Sequence, residues 1–457
     1  MNSNSKIKQF FKMTPAKVIL LGFASLILIG AFLLCLPISN TEREWIPFID
    51  ALFSSTTSVC VTGLMTIDIA AELSLFGEII VLLLIQVGGL GFVTMTSFVF
   101  MIIGKKINYQ TRITLQESLN KDDAEGVVRT VKNIVLITVV CEFLGFLALA
   151  PSMIEFAGSF WSGCFKALFL SVSAFCNAGI DPLGKGTADF SNLAFFAENP
   201  FVLIPVMMLV IVGGLGFIVI LDIINRPKKV KKLNLHTKIV LWMTTVLVLI
   251  GTLVFMIAEW NNSATIGNMS IVDKITNSFF QSVTTRTAGF ATFDQSQMSQ
   301  MSILFSVFLM FIGGSPMSIA GGIKTTTFFI LLLIMIRNQD QNGNIIYKGK
   351  KITHKVMTKA IRIALIAATL LLLGSVLIFT FEKGMISVDS VVYEVVSAIC
   401  TVGLSFGITP TLSVMSKLTL ILLMYIGRIG MITIPLAFKF KETSSSIEYV
   451  SAKIIVG

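Results

Sequence analysis

The sequence predicts an all-α integral membrane protein made of four tandem helix–pore loop–helix units around one pore. Three observations carry that expectation. The 457-residue chain is 54% hydrophobic and only 13% charged, with a mean hydropathy of +0.87; a soluble protein carries roughly 25% charged residues. Eight apolar runs approach the ~20 residues a helix needs to cross a bilayer: Val18–Leu36, Ile79–Ile103, Ile134–Ala150, Phe201–Leu221, Ile239–Ala258, Met301–Ile336, Ile361–Phe381 and Leu418–Phe438. Four short stretches recur between them: Phe53–Gly63, Phe169–Gly179, Phe279–Gly289 and Tyr393–Gly403. Each ends on a glycine ten residues after an aromatic, and the glycines are 116, 110 and 114 residues apart. A period that long in so apolar a chain marks four copies of one membrane unit.

Each unit reads as a spanning helix, an outer segment carrying the glycine, and a second helix. The expected bounds are 17–104, 128–225, 235–337 and 355–440, flanked by cytoplasmic ends at 1–16 and 441–457. The first run has the basic flank of a signal peptide, but its apolar core is too long and no A-x-A site follows, so it is taken as a spanning helix. The segment before each glycine is too short to span and suits a re-entrant pore helix, tolerated at membrane depth where it lines a cavity. The second helices repeat too: Gln86–Phe92 (QVGGLGF), Ile211–Phe217 (IVGGLGF), Phe311–Met317 (FIGGSPM) and Tyr425–Met431 (YIGRIGM). Their glycines permit close backbone approach.

The net charge of +10 reflects topology, not nucleic-acid binding. With the N-terminus placed in the cytoplasm, the outer segments hold seven of the 35 Lys and Arg (Arg43, Lys166, Lys185, Lys274, Arg286, Lys383, Lys417) but sixteen of the 25 acids. That is the positive-inside bias, with membrane lipids as neighbours; the basic run Arg226–Lys232 and the polar tip Asn338–Asn344 fall in cytoplasmic connections. The six cysteines lack C-x-x-C spacing and His236 and His354 lack partners, so neither a zinc site nor an acid–base pair is expected. No phosphate-cradling loop is present, and the spans hold Glu142, Asp222 and Arg428 without a nucleophile–base pair. The sequence therefore reads as no enzyme and needs no organic cofactor.

Four glycine loops around one axis can form a cation site. A dehydrated cation needs oxygens in place of water, and stacked backbone carbonyls supply them. Carbonyls converge only where the backbone alternates between conformations, and glycine accepts positive φ without a Cβ clash. The ligating segments are Val61, Thr62 and Gly63; Asn177, Ala178 and Gly179; Thr287, Ala288 and Gly289; Thr401, Val402 and Gly403. Their side chains differ between units, as backbone ligation allows, and neutral ligands favour a monovalent ion. Asp68, Asp181 and Asp294 follow the glycines, either drawing cations to the mouth or serving as ordinary loop charges.

In the third unit, Gly313, Gly314, Ser315, Pro316, Gly321, Gly322 and Lys324 interrupt an apolar run. Glycine and proline weaken the helix there, predicting a break with an irregular loop below the glycine ring and Lys324 near the cytoplasmic end. Arg428 in the last span must face a polar interior or pair with Glu142 or Asp222. Arg286 stands where the other units have Cys60, Cys176 and Cys400 and is expected to brace its segment from behind.

This pattern resembles the Ktr/Trk/HKT superfamily of potassium transporters, most closely the bacterial KtrB-type membrane subunit, over roughly residues 15–440. The strongest pieces are the four glycine segments and Ile312–Thr327. The resemblance implies a potassium-channel-like fold, with K+ taken up through the four segments and sodium stimulating transport. It implies that the 313–324 loop obstructs the pore as a gate and that Arg428 lies in the pore beside it. It also implies a homodimer in the bacterial plasma membrane, with a KtrA/KtrC-like cytosolic nucleotide-binding ring. Met317 and Ile319 stand where that family more often has small or polar residues. The competing expectation is a secondary transporter of another solute using discontinuous helices, which usually shows two inverted halves.

Overall fold

The computed structural model describes residues 14–103, 109–118, 126–184, 192–225, 233–340 and 343–430. Most of the expected N-terminal segment, the end of the fourth unit and the C-terminal segment lie outside the described residues. So do Lys185 and the basic run Arg226–Lys232.

Four helices are each long and apolar enough to cross a bilayer: α1 (Pro15–Cys35), α7 (Val127–Ala157), α11 (Leu235–Glu259) and α15 (His354–Phe381). They are the first helices of the four units. Each is followed by a short helix: α2 (Phe48–Cys60), α8 (Phe160–Phe175), α12 (Ile271–Thr284) and α16 (Val388–Ile399). Each short helix packs on the long helix before it. The contact is close because a glycine of the long helix faces it: a Cβ on Gly30, Gly145, Gly251 or Gly374 would meet Ser55, Ser171, Ser282 or Val395 of the short helix. In three units the serine hydroxyl there donates to the long helix, to the carbonyls of Ile27, Glu142 and Val248, at 2.7, 2.6 and 2.8 Å. A buried hydroxyl needs such a partner.

The one-turn helix α3 (Ile69–Glu72) precedes the second helix of the first unit, and α6 (Tyr109–Ser118) lies between the first and second units. The second helices begin on polar caps. The side chains of Ser74, Ser299 and Ser413 accept the N–H groups of Gly77, Ser302 and Ser416, and Asn199 caps the helix that opens with Pro200. Such caps satisfy donors that a helix start leaves unpaired. Two of these helices are not the straight spans expected from Ile79–Ile103 and Phe201–Leu221. α4 (Leu75–Leu90) meets α5 (Phe92–Ile102) at 99°, and α9 (Pro200–Leu215) meets α10 (Phe217–Asn225) at 95°. The bends fall on Gly91 and Gly216, at φ 86° and 88°, which side-chain-bearing residues resist. The third is split into α13 (Gln300–Phe311) and α14 (Thr325–Ile336), the break the sequence predicted. The fourth, α17 (Val414–Ile429), ends at Gly430, φ 100°.

The units close into a ring. α4 of the first unit packs on α8 of the second, α9 on α12 of the third, α13 on α16 of the fourth, and α17 on α2 of the first. A salt bridge of 2.8 Å from Lys417 in α17 to Asp50 in α2 ties the last unit to the first. One small departure from an all-α chain follows α14. β1 (Ile345–Tyr347) and β2 (Lys350–Ile352) form a hairpin turning on Lys348 and Gly349, both at positive φ, as two-residue hairpin turns require.

Candidate functional site

The four short helices all point their C-terminal ends at one place. Each ends three to five residues before its glycine, so the negative poles of four helix dipoles converge where the glycines lie. The glycine turns touch in cyclic order. A Cβ on Gly63 would meet the carbonyl oxygen of Ala178; on Gly179, that of Ala288; on Gly289, that of Val402; on Gly403, that of Thr62. Each partner is the residue just before the glycine of the next unit, and the fourth leads back to the first. No side chain fits at any of these four glycines.

The backbone alternates as carbonyl convergence demands, but by more than glycine. The glycines have φ of 102°, 65°, 81° and 99°. The residues two before them, Val61, Asn177, Thr287 and Thr401, are also at positive φ, between 49° and 72°. Three are β-branched, for which that region is an outlier. Such strain persists only where surrounding structure over-determines it. No sequence signal marks this position, because its residue types argue against the conformation they adopt.

What holds the turns is visible on the short helices. In the first, second and fourth units the N–H of the residue before the glycine donates to the carbonyl of Thr57, Ser173 or Ser397, each at 2.8 Å. The hydroxyls of those residues accept a second N–H, from Gly63 at 2.9 Å, Ile180 at 3.1 Å and Gly403 at 2.9 Å. A hydroxyl six residues before the glycine recurs in those three units and was missed in the sequence. Outside the ring, Asn192 donates to the Gly179 carbonyl at 3.4 Å. The Oγ1 atoms of Thr62, Thr287 and Thr401 and the amide of Asn177 are buried without a hydrogen-bond partner among the described residues. The Asn177 amide lies against Gly213 and Gly214 of α9 and the Thr401 hydroxyl against Gly321 of the third unit, so the oxygens of the ring itself are backbone carbonyls, neutral donors that suit a monovalent cation.

The third unit departs from this scheme. Val283 replaces the hydroxyl, and the Thr284 hydroxyl donates instead to the Phe290 carbonyl at 2.6 Å. Arg286 is buried, and its Nη2 donates to the Gly313 carbonyl at 3.3 Å. It thus stands behind its turn and ties it to the interrupted helix.

The segment from Ile312 to Lys324 forms an irregular loop beneath the ring. Ser315 N–H donates to the Gly214 carbonyl at 3.0 Å, Phe217 N–H to the Met317 carbonyl at 3.0 Å, and Thr325 N–H to the Gly314 carbonyl at 3.0 Å. The Pro316 carbonyl crowds Gly216, and a Cβ on Gly321 would meet Thr401 and the Cys400 carbonyl. Gly322 lies beside Gly313 and Cys400. The loop is thereby fixed to the second unit on one side and set under the fourth turn on the other. Met317 adopts φ 57° and Ile319 is buried. Lys324 donates to the Ala320 carbonyl. It closes the loop, and the twelve residues of α14 follow it.

Arg428 donates to the carbonyls of Ile319 and Gly88, and to that of Gly89 at 2.9 Å. It joins the loop to the first unit from a helix of the fourth. The alternative ion pairs are not made: Glu142 accepts from Gln86 at 3.2 Å, and Asp222 from Asn234 and Thr237 at 2.7–3.1 Å. Asp68, Asp181 and Asp294 each accept backbone N–H groups of their own turns.

The glycines of the second helices also find their reason. A Cβ on Gly88, Gly213 or Gly427 would strike the carbonyl of Val59, Phe175 or Ile399, each four residues before a ring glycine. In the third unit Gly313 meets Gly321 of the loop instead.

Residues 23–449 match the family model described as TrkH, cation transport protein. The chain is 36% identical over 453 residues to the Ktr system potassium uptake protein B of Bacillus subtilis, covering 99% of both. It is 36% identical over 451 residues to the potassium/sodium uptake protein NtpJ of Enterococcus hirae, covering 98% of both. The fold matches the crystal structure of the potassium transporter TrkH from Vibrio parahaemolyticus with a TM-score of 0.72 at 17% identity, over 94% of this chain and 86% of that one. A ring of four glycine turns, an interrupted third helix and this full-length similarity together place the chain in the TrkH family of cation transport proteins.

Proposed function

We propose that the chain takes up K+ across the bacterial plasma membrane through the ring formed by Val61–Gly63, Asn177–Gly179, Thr287–Gly289 and Thr401–Gly403. The observation that carries this reading is the closed cycle of glycine turns, each with positive φ at the glycine and two residues before it. Carbonyls so arranged replace the water of a dehydrated cation, and the converging helix C-termini favour its charge. The four repeats correspond to 17–104, 128–225, 235–337 and 355–440. Their single cyclic direction of packing weighs against a transporter of two inverted halves.

Passage is controlled by the loop containing Gly313, Gly314, Ser315, Pro316, Gly321, Gly322 and Lys324, held by Arg428. The loop fills the path under the ring, and two cationic side chains repel an arriving ion. Conduction requires the loop to leave that position. A cytosolic nucleotide-binding partner drives this step; the Bacillus subtilis relatives, named as proteins B and D of a Ktr system, support such a partnership. The chain acts as a homodimer with a pore in each protomer and both termini in the cytoplasm. Sodium stimulates uptake, in keeping with the potassium/sodium name of the Enterococcus hirae relative.

The test is K+ uptake and growth at low external potassium in cells lacking their own uptake systems, with a cognate regulatory subunit coexpressed. Rescue by the parent and loss of K+-over-Na+ preference in Gly403→Ser at equal membrane level are expected. Unchanged preference in the variant removes Gly403 from the ion path. Failure of the parent despite insertion and a bound partner overturns the K+ assignment.

A further inference from the structure

We infer that the start of α15 and the β1–β2 hairpin bind an anionic phospholipid. Six cations gather there, Lys348, Lys350 and Lys351 on the hairpin and Lys355, Lys359 and Arg362 on the helix, all exposed. No acidic residue occurs from Ile345 to Phe381. None of the six has an ion-pair partner among the described residues.

The three on the helix lie at spacings of four and three, on one face. That face continues into Ile366, Leu373 and Leu377, the last two 56% and 45% exposed. One stripe of α15 therefore passes from cationic to apolar, as a phospholipid does from headgroup to acyl chain. Helix length sets the depth of the junction. The 28 residues of α15 span about 42 Å, against a hydrocarbon core of about 30 Å. With Phe381 at the side where the pore helices begin, the core ends near Arg362, and Lys359 and Lys355 stand in the headgroup zone.

Topology requires cations on this side of the membrane, but it does not require them on one stripe. Their position is also adverse to the helix. The N-terminal pole is positive, the first turn holds no acid, and Thr353 makes no side-chain cap. Asn344 Oδ1 accepts the His354 N–H at 3.2 Å, so an external phosphate meets the positive pole of the helix and the lysines around it. A cluster of four to eight Lys and Arg beside a spanning helix gains about 1 kcal/mol per cation from an anionic surface.

The test uses the detergent-solubilised full chain and native mass spectrometry with phosphatidylglycerol or phosphatidylcholine. The unmodified protein is expected to retain phosphatidylglycerol about tenfold or more over phosphatidylcholine, and Lys355→Gln/Lys359→Gln/Arg362→Gln to lose that preference. Lys355→Arg/Lys359→Arg keeps it. Should the triple variant fail to insert, Lys359→Gln alone is expected to lower retention about fivefold. No preference in the unmodified protein, or an undiminished one in the variants, overturns the proposal. So does displacement of the lipid by inorganic phosphate, which assigns the site to a free anion. Oxidative crosslinking of Leu373→Cys between protomers would place a second copy on the stripe. Protection of Lys359 from acetylation by a cytosolic protein, and not by phosphatidylglycerol vesicles, would assign the cations to an acidic protein surface.

Discussion

The third unit and the other three solve the same problem differently. Units one, two and four hold their glycine turns from inside, with a Thr or Ser hydroxyl of the pore helix accepting an N–H beyond it. They press a second-helix glycine onto the end of the pore helix. Unit three gives up both devices. Val283 replaces the hydroxyl, Arg286 replaces the cysteine, and Pro316 stands where the other units have Gly91, Gly216 and Gly430, all at positive φ. Its turn is instead tied through Arg286 to Gly313, at the head of the loop that interrupts the third second-helix. A fourfold repeat thus carries a built-in asymmetry, in which one wall of the ring and the loop under it share a hydrogen bond.

The largest effect is expected from cutting the loop free. Arg428→Ala removes three charge-assisted hydrogen bonds to carbonyls of the loop and the first unit. Bonds of that kind contribute about 1.5–3 kcal/mol each. Loss of even one such increment shifts a loop equilibrium by about tenfold to a hundredfold. K+ flux without the regulatory partner, measured in liposomes, is expected to rise at least tenfold. No rise would mean that the loop is held elsewhere.

Making unit three resemble its neighbours comes next. Arg286→Cys leaves the Gly313 carbonyl without its guanidinium partner, a cost of about 1–3 kcal/mol. The expected outcome is a severalfold fall in K+-over-Na+ uptake ratio together with raised partner-independent flux. A change in one without the other would separate the turn from the loop.

The other units can be weakened in turn. Thr57→Ala and Ser397→Ala each leave a glycine N–H of the ring unpaired, and each is expected to cost about 1–2 kcal/mol, read as a lowered Tm. Val283→Ala loses no hydrogen bond and is expected to leave the Gly289 turn's selectivity unchanged, which K+ and Na+ uptake would report.

The smallest effect concerns the outer mouth of unit two. Burial and, less strongly, the like charge of Asp68 push the Asp181 carboxyl up to about 6, against the hydrogen bond from Leu183 and the nearby Lys166. The native state then holds a proton that the unfolded chain releases near pH 4. Asp181 is neutral below about pH 6 and charged above it, so its contribution to stability falls as pH rises from about 4 through 6. Its attraction for cations runs the other way. The apparent KM for K+ is expected to rise about twofold as pH falls from 7 to 5, and Asp181→Asn is expected to abolish that change.

Much of this was readable from the residues. The glycine period, the apolar runs and GGSPMSIAGGIK pointed to the four units, the ring and the interrupted third helix, because glycine and proline act on the backbone directly. The bends at Gly91 and Gly216 were hidden, since an apolar run reads as a span whether or not it turns. The positive φ of Val61, Thr287 and Thr401 is imposed by neighbouring turns against local preference, so propensity could only mislead. Gly30, Gly145, Gly251 and Gly374 resembled ordinary membrane-helix glycines until the pore helices lay against them. Arg428 was known to need a polar partner, but only packing chose carbonyls over Glu142 and Asp222.

The central claim, that the four turns form one monovalent-cation site above a loop-closed path, is tested most directly by anomalous scattering from crystals grown in Rb+. The account predicts an Rb+ peak on the axis between Gly63, Gly179, Gly289 and Gly403, displaced by K+ and absent in Na+. No peak there, or one that Na+ displaces equally well, would contradict it.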